Sequence, residues 1–261
     1  MHEIDKNLFE EYKVPKYLSD QRLDKILLEL DIVDSRNKAN GIIMSGYVFI
    51  DDKKIEKSGK IIKANSILKI KKRENTWVSR GGIKLNDALG KFEIVVKDKV
   101  CLDIGCSTGG FSEVLLQKNA KHIFSVDVGY GQFDWKLRKS SKISLFERLN
   151  VKNLTKEHIP ILIDIVVCDV SFISIKKFFL HVKNFLNKKF IIISLIKPQF
   201  ESKKEDVGKG GVIKDSNVHK YVCEDIKSWF SANFIDISLK IIESPILGQK
   251  GNKEFFIFVK N

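Results

Sequence analysis

The sequence has no apolar run long enough to cross a bilayer. Its longest apolar stretches, residues 161–168 (interrupted by Asp164) and 190–196, are far shorter than the ~20 residues that a transmembrane helix needs. Residues 1–11 are polar and acidic and lack the apolar core of a signal peptide. We therefore expect a cytoplasmic protein with no membrane association.

Cysteine is scarce as well, and no two cysteines have C-x-x-C spacing. Three of the four fall in or beside predicted strands, where a thiol behaves as a small buried apolar group. Free buried thiols are typical of a reducing compartment, and the sequence predicts no metal site. The four residues are Cys101, Cys106, Cys168 and Cys223.

Arginine is rare beside lysine, which makes the net charge of +13 weak evidence by itself for a polyanionic partner. The distribution of charge is more informative. Residues 1–35 carry a net charge of −4, whereas residues 36–73 carry 11 Lys/Arg against 3 Asp/Glu, a net of +8. Such a basic segment indicates a phosphate-facing surface, although a merely solvated lysine-rich face is the alternative.

In a lysine-biased chain, arginine can mark positions that use the planar, forked guanidinium group. The six arginines are Arg22, Arg36, Arg73, Arg80, Arg138 and Arg148.

The first part of the chain predicts a small α+β domain. Apolar residues at helical spacing indicate a helix over residues 18–30, and Ser35 can cap a second helix that ends at Met44. Strands at 47–50 and 67–70 follow, with a turn at Asp51-Asp52. We expect an N-terminal extension at 1–17, this domain at 18–71, a charged linker at 72–78 and a second domain at 79–261.

Three short strings in this first domain resemble the RNA-binding domain named for a ribosomal small-subunit protein. They are Arg22-Leu-Asp-Lys25, Ser35-Arg36 with Ala39, and Gly46-Tyr-Val48. The resemblance implies that two helices present basic side chains to an RNA backbone, with recognition of RNA shape more than of bases. The implied contacts are Arg22, Lys25, Arg36 and Lys38, to which we add Arg80 of the second domain.

Strands and helices alternate from residue 100 to the end of the chain. This order predicts an α/β domain with a largely parallel sheet covered on both faces, a Rossmann-like architecture. Ligands of such sheets bind at the carboxyl ends of the strands.

A glycine-bearing turn joins the first predicted strand of this domain to a helix, in Val100-Cys-Leu-Asp-Ile-Gly-Cys-Ser-Thr-Gly-Gly-Phe-Ser112. The turn has neither the Gly-x-Gly-x-x-Gly spacing of a dinucleotide site nor a P-loop lysine. Asp103 suits the ammonium of a methionine moiety, and Asp127, which ends the next strand, suits the hydroxyls of a ribose. A helix cap at Asp103 and a turn residue at Asp127 are the alternatives. The pattern favours S-adenosylmethionine (SAM) over NAD, held by Asp103, Gly105, Ser107, Thr108, Gly109, Gly110, Phe111, Asp127 and Val128.

Four further polar residues, Lys84, Asp169, Lys197 and Glu254, each stand at the end of a predicted element. A single lysine at a strand end is usually solvated. Two lysines and two acids at one edge of a sheet instead predict a shared site.

Several strings around these residues resemble the TlyA family, rRNA 2′-O-ribose methyltransferases that are also called haemolysins. The strings begin at Ser79-Arg-Gly-Gly-Ile-Lys-Leu85, Asp103-Ile-Gly-Cys-Ser, Asp127-Val-Gly-Tyr-Gly-Gln132, Asp169-Val-Ser-Phe-Ile-Ser174, Lys197-Pro-Gln-Phe-Glu201, Gly208-Lys-Gly-Gly-Val212 and Ser244-Pro-Ile-Leu-Gly-Gln. The likeness implies a class I SAM-dependent methyltransferase of the FtsJ-like kind, acting on cytidines of rRNA in a ribosomal subunit.

The same resemblance implies a Lys-Asp-Lys-Glu tetrad at Lys84, Asp169, Lys197 and Glu254. A ribose hydroxyl is a poor nucleophile, so a base must take its proton while it is aligned with the methyl group. We expect Lys197 to be that base, with its neutral form favoured by the neighbouring Lys84 cation and by partial burial. Asp169 would orient Lys197, and Glu254 would fix the ribose and balance Lys84.

Three other functions compete with this interpretation. A membrane-active haemolysin would need an amphipathic or spanning segment, and a non-catalytic rRNA-binding protein would not need the four-residue set. A pseudouridine synthase often has the same N-terminal module but uses no cofactor. The sequence specifies neither the modified nucleotide nor the oligomeric state.

Overall fold

The computed structural model describes residues 9–33, 35–71 and 77–261. Its internal contacts divide the chain into two compact units, residues 1–76 and 77–261. Residues 1–8 of the predicted extension at 1–17, and residues 72–76 of the predicted linker at 72–78, lie outside the described residues.

The first unit is a small α+β domain, as predicted. Its helices α1 and α2 pack on a four-stranded antiparallel sheet of order β1-β6-β3-β4, and a short β2-β5 pair lies apart. The apolar stripe of α1 supplies Leu23, Ile26 and Leu27 to the core. The elements are β1 Phe9–Lys13, β2 Gln21–Arg22, α1 Leu23–Glu29, α2 Arg36–Met44, β3 Val48–Ile50, β4 Lys53–Lys54, β5 Ile61–Ile62 and β6 Ile67–Lys71.

Two features of this unit differ from the sequence prediction. The segment expected to be an extension contains β1, which pairs along its full length with β6. The first helix begins at Leu23 and not at residue 18, because Asp20 adopts a positive φ of 57° and the chain then forms β2. The cap of the second helix is confirmed, since Ser35 Oγ accepts a hydrogen bond from the backbone N–H of Lys38 (3.3 Å).

The second unit is a three-layer α/β sandwich. Its elements are α3 Gly81–Lys91, β7 Val100–Ile104, α4 Gly110–Gln117, β8 His122–Val126, α5 Trp135–Arg138, β9 Ile143–Phe146, β10 Ile163–Cys168, α6 Lys176–Val182, β11 Leu186–Ile196, α7 Pro198–Glu201, α8 Ser216–Asn233, β12 Ser238–Glu243 and β13 Phe255–Lys260. The sheet order is β12-β13-β11-β10-β7-β8-β9. Strands β11, β10, β7, β8 and β9 are parallel neighbours, and β13 runs antiparallel between β11 and β12.

Alternate residues of the central strands form two separate cores, one on each face of the sheet. Leu102 of β7 packs with Phe178 of α6 and Phe230 of α8. Its neighbour Cys101 packs on the opposite face with α3 and α4. Both faces are therefore covered, which confirms the predicted parallel-sheet architecture and leaves the strand ends as the exposed edge of the sheet.

The sequence prediction missed α3, the helix that carries Lys84. The glycines at its start and near its end lower helix propensity, and they masked the apolar face that Leu85, Ala88 and Leu89 bury. Trp77 packs against this same core, and Val78 donates its backbone N–H to Glu113 of α4. The last two residues of the predicted linker therefore belong to the second unit.

Candidate active site

The turn after β7 brings the backbone to a position that only glycine can occupy. Gly105 has a φ of +78°, and a Cβ there would lie 2.6 Å from the carbonyl oxygen of Asp169. Its N–H donates to Val126 O, which ties the turn to the end of β8. Gly109, with a φ of +96°, then leads into α4. The turn thus packs closely against the backbone that follows β10, next to the beginning of a helix.

Alanine at Gly105 is expected to destabilise the second unit by about 1–3 kcal/mol, because it combines an unfavourable φ with a backbone clash. Urea denaturation followed by tryptophan fluorescence measures this, since all three tryptophans of the sequence lie at or after residue 77. Gly90→Ala in α3 is the matched control: no atom lies within 4 Å of its Cβ, and it should stabilise by about 0.5–1 kcal/mol. Equal midpoints for the two variants would contradict this account.

Asp103 lies beneath the turn and is fully buried. Its Oδ2 accepts a hydrogen bond from Ser112 Oγ (2.6 Å), and Ser112 is in turn 2.8 Å from Ser125 Oγ. Burial raises the pKa of Asp103 to about 7. Among the described residues its Oδ1 has no hydrogen-bond partner. A buried, unpartnered carboxylate oxygen at this position can accept a cationic or hydrogen-bonding group.

Asp127 stands directly after β8, with both carboxylate oxygens engaged by backbone groups. Oδ2 accepts the N–H of Ser107 (2.8 Å), and Oδ1 accepts the N–H of Gly129 (2.7 Å). Each oxygen keeps a further lone pair, so the carboxylate can still accept two hydroxyl donors. The two backbone bonds hold it in a fixed orientation for that purpose.

Two adjoining cavities open at this edge of the sheet and share Gly105, Ser107, Asp169 and Ser171. The polar cavity, of about 210 Å³, is lined by the start of α3, the glycine turn and all four residues of the predicted tetrad. The apolar cavity, of about 310 Å³, is walled chiefly by Ile104, Val126, Val151, Val170, Ile173 and Phe178. An elongated ligand with one polar and one apolar end would fit across the pair.

The predicted cofactor residues divide between these cavities. Gly105, Ser107, Thr108, Gly110 and Phe111 line the polar cavity. Gly105 and Ser107, with Asp127 and Val128, also line the apolar one. Asp103 and Gly109 line neither cavity: Asp103 lies under the turn, and Gly109 packs against Phe133 and Leu137.

The four tetrad residues form two ion pairs. Lys84 Nζ lies 2.5 Å from Glu254 Oε2, and these two side chains are only 6% and 2% exposed. Lys197 Nζ lies 2.5 Å from Asp169 Oδ1 and donates a hydrogen bond to Ser171 Oγ (3.0 Å). All four line the polar cavity, so the sheet brings together residues that are far apart in sequence.

This arrangement has the expected pairing and differs from the expectation in one respect. Lys84 lies in the first turn of α3, not at the end of an element. The charged partner of Lys197 is Asp169, and that of Lys84 is Glu254, as expected.

Two residues of the site were not singled out from the sequence. Ser171, the hydrogen-bond acceptor of Lys197, stands between the two cavities. Phe172 is 84% exposed with a positive φ of 65°, and its ring lies 5.0 Å from that of Phe200. A bulky residue in the left-handed region is a notable signal, but that signal exists only in three dimensions.

The predicted RNA contacts of the first unit are exposed or half-buried on its surface. Arg22 forms two hydrogen bonds with the buried carboxylate of Asp24 (3.0 and 2.8 Å), and this partner lowers the pKa of Asp24. These two bonds fix the orientation of the Arg22 guanidinium, while much of the arginine side chain stays exposed. Arg36 and Lys38 are exposed in the first turn of α2, and Lys25 is half-buried in α1. Arg80, in the second unit, lines the polar cavity.

The described residues contain neither a metal-binding cluster nor a membrane-spanning helix. Within 9–33, 35–71 and 77–261 there is no group of His, Cys, Asp and Glu side chains that could hold a metal ion. Over the same ranges, no helix is long and apolar enough to cross a membrane.

Each of the two units matches a known family. The FtsJ-like methyltransferase family matches residues 77–261, and the S4 domain matches residues 21–68. The chain is 36% identical over 241 residues to the 16S/23S rRNA (cytidine-2′-O)-methyltransferase TlyA of Mycobacterium tuberculosis. The match covers 92% of this chain and 89% of that protein. It is 38% identical over 239 residues to Hemolysin A of Brachyspira hyodysenteriae, and the match covers 90% of this chain and 97% of that protein.

A solved structure shows the same likeness in three dimensions. A protein from Streptococcus thermophilus that carries the hemolysin name superimposes with a TM-score of 0.72 at 32% identity, covering 94% of this chain and 89% of that one. Family match, sequence identity and fold thus agree over nearly the whole chain. The chain belongs to the TlyA family of FtsJ-like methyltransferases and carries an S4 domain ahead of its methyltransferase domain.

Proposed function

We propose that this protein transfers a methyl group from SAM to a ribose 2′-hydroxyl of rRNA in the cytoplasm. The observation that carries the proposal is the pair of ion pairs, Lys197–Asp169 and Lys84–Glu254, at the cavity that adjoins the glycine turn. Titratable groups of opposite sign held together in a cleft are typical of sites that move protons. The names of the relatives indicate cytidine as the nucleotide.

The residues of the glycine turn fit SAM. The turn lines both cavities through Gly105 and Ser107, and the unpartnered Oδ1 of Asp103 beneath it suits a nearby positive charge. The spare lone pairs of Asp127 suit the two hydroxyls of a ribose, and the apolar cavity suits a purine ring. When bound, SAM supplies a methyl group activated by a sulfonium.

The chain's own residues then have to orient and deprotonate the substrate hydroxyl. Lys197, in its neutral form, is our candidate for the group that accepts the proton. Asp169 stabilises the ammonium that results, and Ser171 holds Nζ in place by accepting a hydrogen bond. Glu254 is already in an ion pair with Lys84. The two side chains would therefore contact the ribose together, as one polar wall of the cavity.

The substrate RNA would contact two surfaces of the protein. The S4 domain presents Arg22, Lys25, Arg36 and Lys38, which suit the RNA backbone. At the rim of the cavity, the exposed ring of Phe172 offers a face on which a base can stack.

Nucleoside mass spectrometry of rRNA tests the proposal. We expect rRNA from cells that contain the protein to hold a 2′-O-methylated nucleoside that is missing when the gene is deleted. Re-expression of the wild-type chain should restore it, and purified protein with SAM should produce it on isolated ribosomal subunits. Identical rRNA nucleoside profiles in the presence and absence of the protein would contradict the proposed activity.

A further inference from the structure

The segment between β8 and α5 forms one wall of the apolar cavity, through Asp127, Val128 and Gln132. We name residues 128–134 the wall loop. It contains Gly129 and Gly131, and Gly131 has a positive φ of 74°, so the loop has little intrinsic rigidity. Its position therefore depends on contacts with the rest of the unit, on its cavity side and on its outer side.

One group of these contacts converges on the carboxylate of Glu147, one residue after β9, beside the contacts that Arg148 makes with Gly129 O and with the ring of Tyr130. Its Oε1 accepts the backbone N–H of Gly131 (2.8 Å) and the guanidinium Nη2 of Arg138 (2.6 Å). The same guanidinium donates Nε–H to the carbonyl oxygen of Phe133 (3.1 Å). Arg138 thus binds both Glu147 and the C-terminal end of the wall loop. Donating to both acceptors at once requires the planar, forked guanidinium group.

The burial and charge of this pair indicate a firm contact. The Glu147 side chain is 9% exposed and that of Arg138 is 36% exposed, so the interaction is partly shielded from solvent. The guanidinium of Arg138 lowers the pKa of Glu147, as expected for a carboxylate that stays ionised in the folded chain. An exposed surface pair would contribute much less.

The inner side of the same segment rests on the glycine turn. Phe133 and Leu137 are buried under Gly109, where a Cβ would lie 2.5 Å from Leu137. Ser107 Oγ, in the turn, donates to Gln132 Oε1 (3.2 Å). A displacement of the wall loop would therefore alter Gln132, Val128 and the Ser107 contact together.

We propose that Arg138 and Glu147 are positioning residues that set the affinity for SAM by holding the wall loop against the apolar cavity. Neither residue lines either cavity, so each acts through the loop. The inference rests on the proposed use of SAM. It assigns a role to one of the six arginines, whose fork a lysine cannot replace.

Equilibrium binding of SAM and of S-adenosylhomocysteine to the full chain, by calorimetry, tests the inference. Glu147→Ala and Arg138→Ala should each raise Kd by about tenfold, while the turnover number at saturating SAM stays within about twofold of wild type. Arg138→Lys should also bind more weakly, because an ammonium cannot bridge Glu147 and Phe133 O in the same geometry. Lys91→Ala removes a surface ion pair with Asp87 on α3 and is the matched control, with unchanged Kd.

A readout from the loop itself separates positioning from general instability. In Glu147→Ala, the amide of Gly131 should exchange its hydrogen faster, while the urea midpoint seen by tryptophan fluorescence changes little. Arg138→Lys and Glu147→Gln keep side chains of similar size in case an alanine variant fails to fold. Unchanged Kd in Arg138→Lys and Glu147→Ala would overturn the inference with the proposed function intact. Failure of the wild-type chain to bind SAM would overturn the proposed function itself.

Discussion

Replacing Lys197 with alanine will lower methyl transfer to rRNA by about 10³-fold and leave SAM binding within about threefold of wild type. The loss follows because the candidate base is removed from between Asp169 and Ser171. Single-turnover transfer of a labelled methyl group to ribosomal subunits measures the chemical step, and calorimetry measures cofactor binding.

A matched control for this variant is Lys177→Ala. Lys177 is an exposed lysine on α6 that lines neither cavity, so its loss removes one positive charge without touching the site. Transfer rates that are equal in the two variants would show that Lys197 contributes only charge. Near wild-type turnover in Lys197→Ala would exclude it as the base.

The second large effect concerns stability and activity at once. Glu254→Gln leaves the Lys84 ammonium buried without its carboxylate, which should destabilise the methyltransferase unit by about 3–5 kcal/mol. Replacing both residues with methionine removes the two charges together. The double variant should recover most of the lost stability and yet remain inactive.

Urea denaturation with tryptophan fluorescence, together with the transfer assay, distinguishes these outcomes. Recovery of stability without activity would show that the pair is retained for function. A double variant as unstable as Glu254→Gln would mean that the unpaired ammonium is not the cause of the loss. A double variant that methylates rRNA at the wild-type rate would remove Lys84 and Glu254 from the mechanism.

Local sequence patterns were sufficient for most elements of the sheet. The strand β7, the turn at Gly105 and the helix α4 follow from an apolar run, a glycine and a second apolar face, all within 18 residues of each other. The α3 helix was missed because its glycines lower helix propensity and interrupt the apolar pattern of the face that packs on the sheet. The β1 strand was missed because its FEEYK sequence is polar and is stabilised by pairing with β6.

The pairing of the four charged residues in the candidate site was expected from the resemblance to a known family, not from local patterns. Sheet order decides which strand ends are neighbours, so the local sequence alone does not pair Lys84 with Glu254 or Lys197 with Asp169. The same holds for Ser171 and Glu147, which have ordinary sequence surroundings. Their roles depend on distances across the fold.

The Lys84–Glu254 pair joins residues that are 170 positions apart, near the two ends of the methyltransferase unit. Since β13 enters the sheet between β11 and β12, Glu254 reaches Lys84 only after β13 has been synthesised and has docked. A nascent chain can thus complete its glycine turn long before it completes the polar cavity. We therefore expect chains in which β13 has not docked to lack the Lys84–Glu254 side of that cavity.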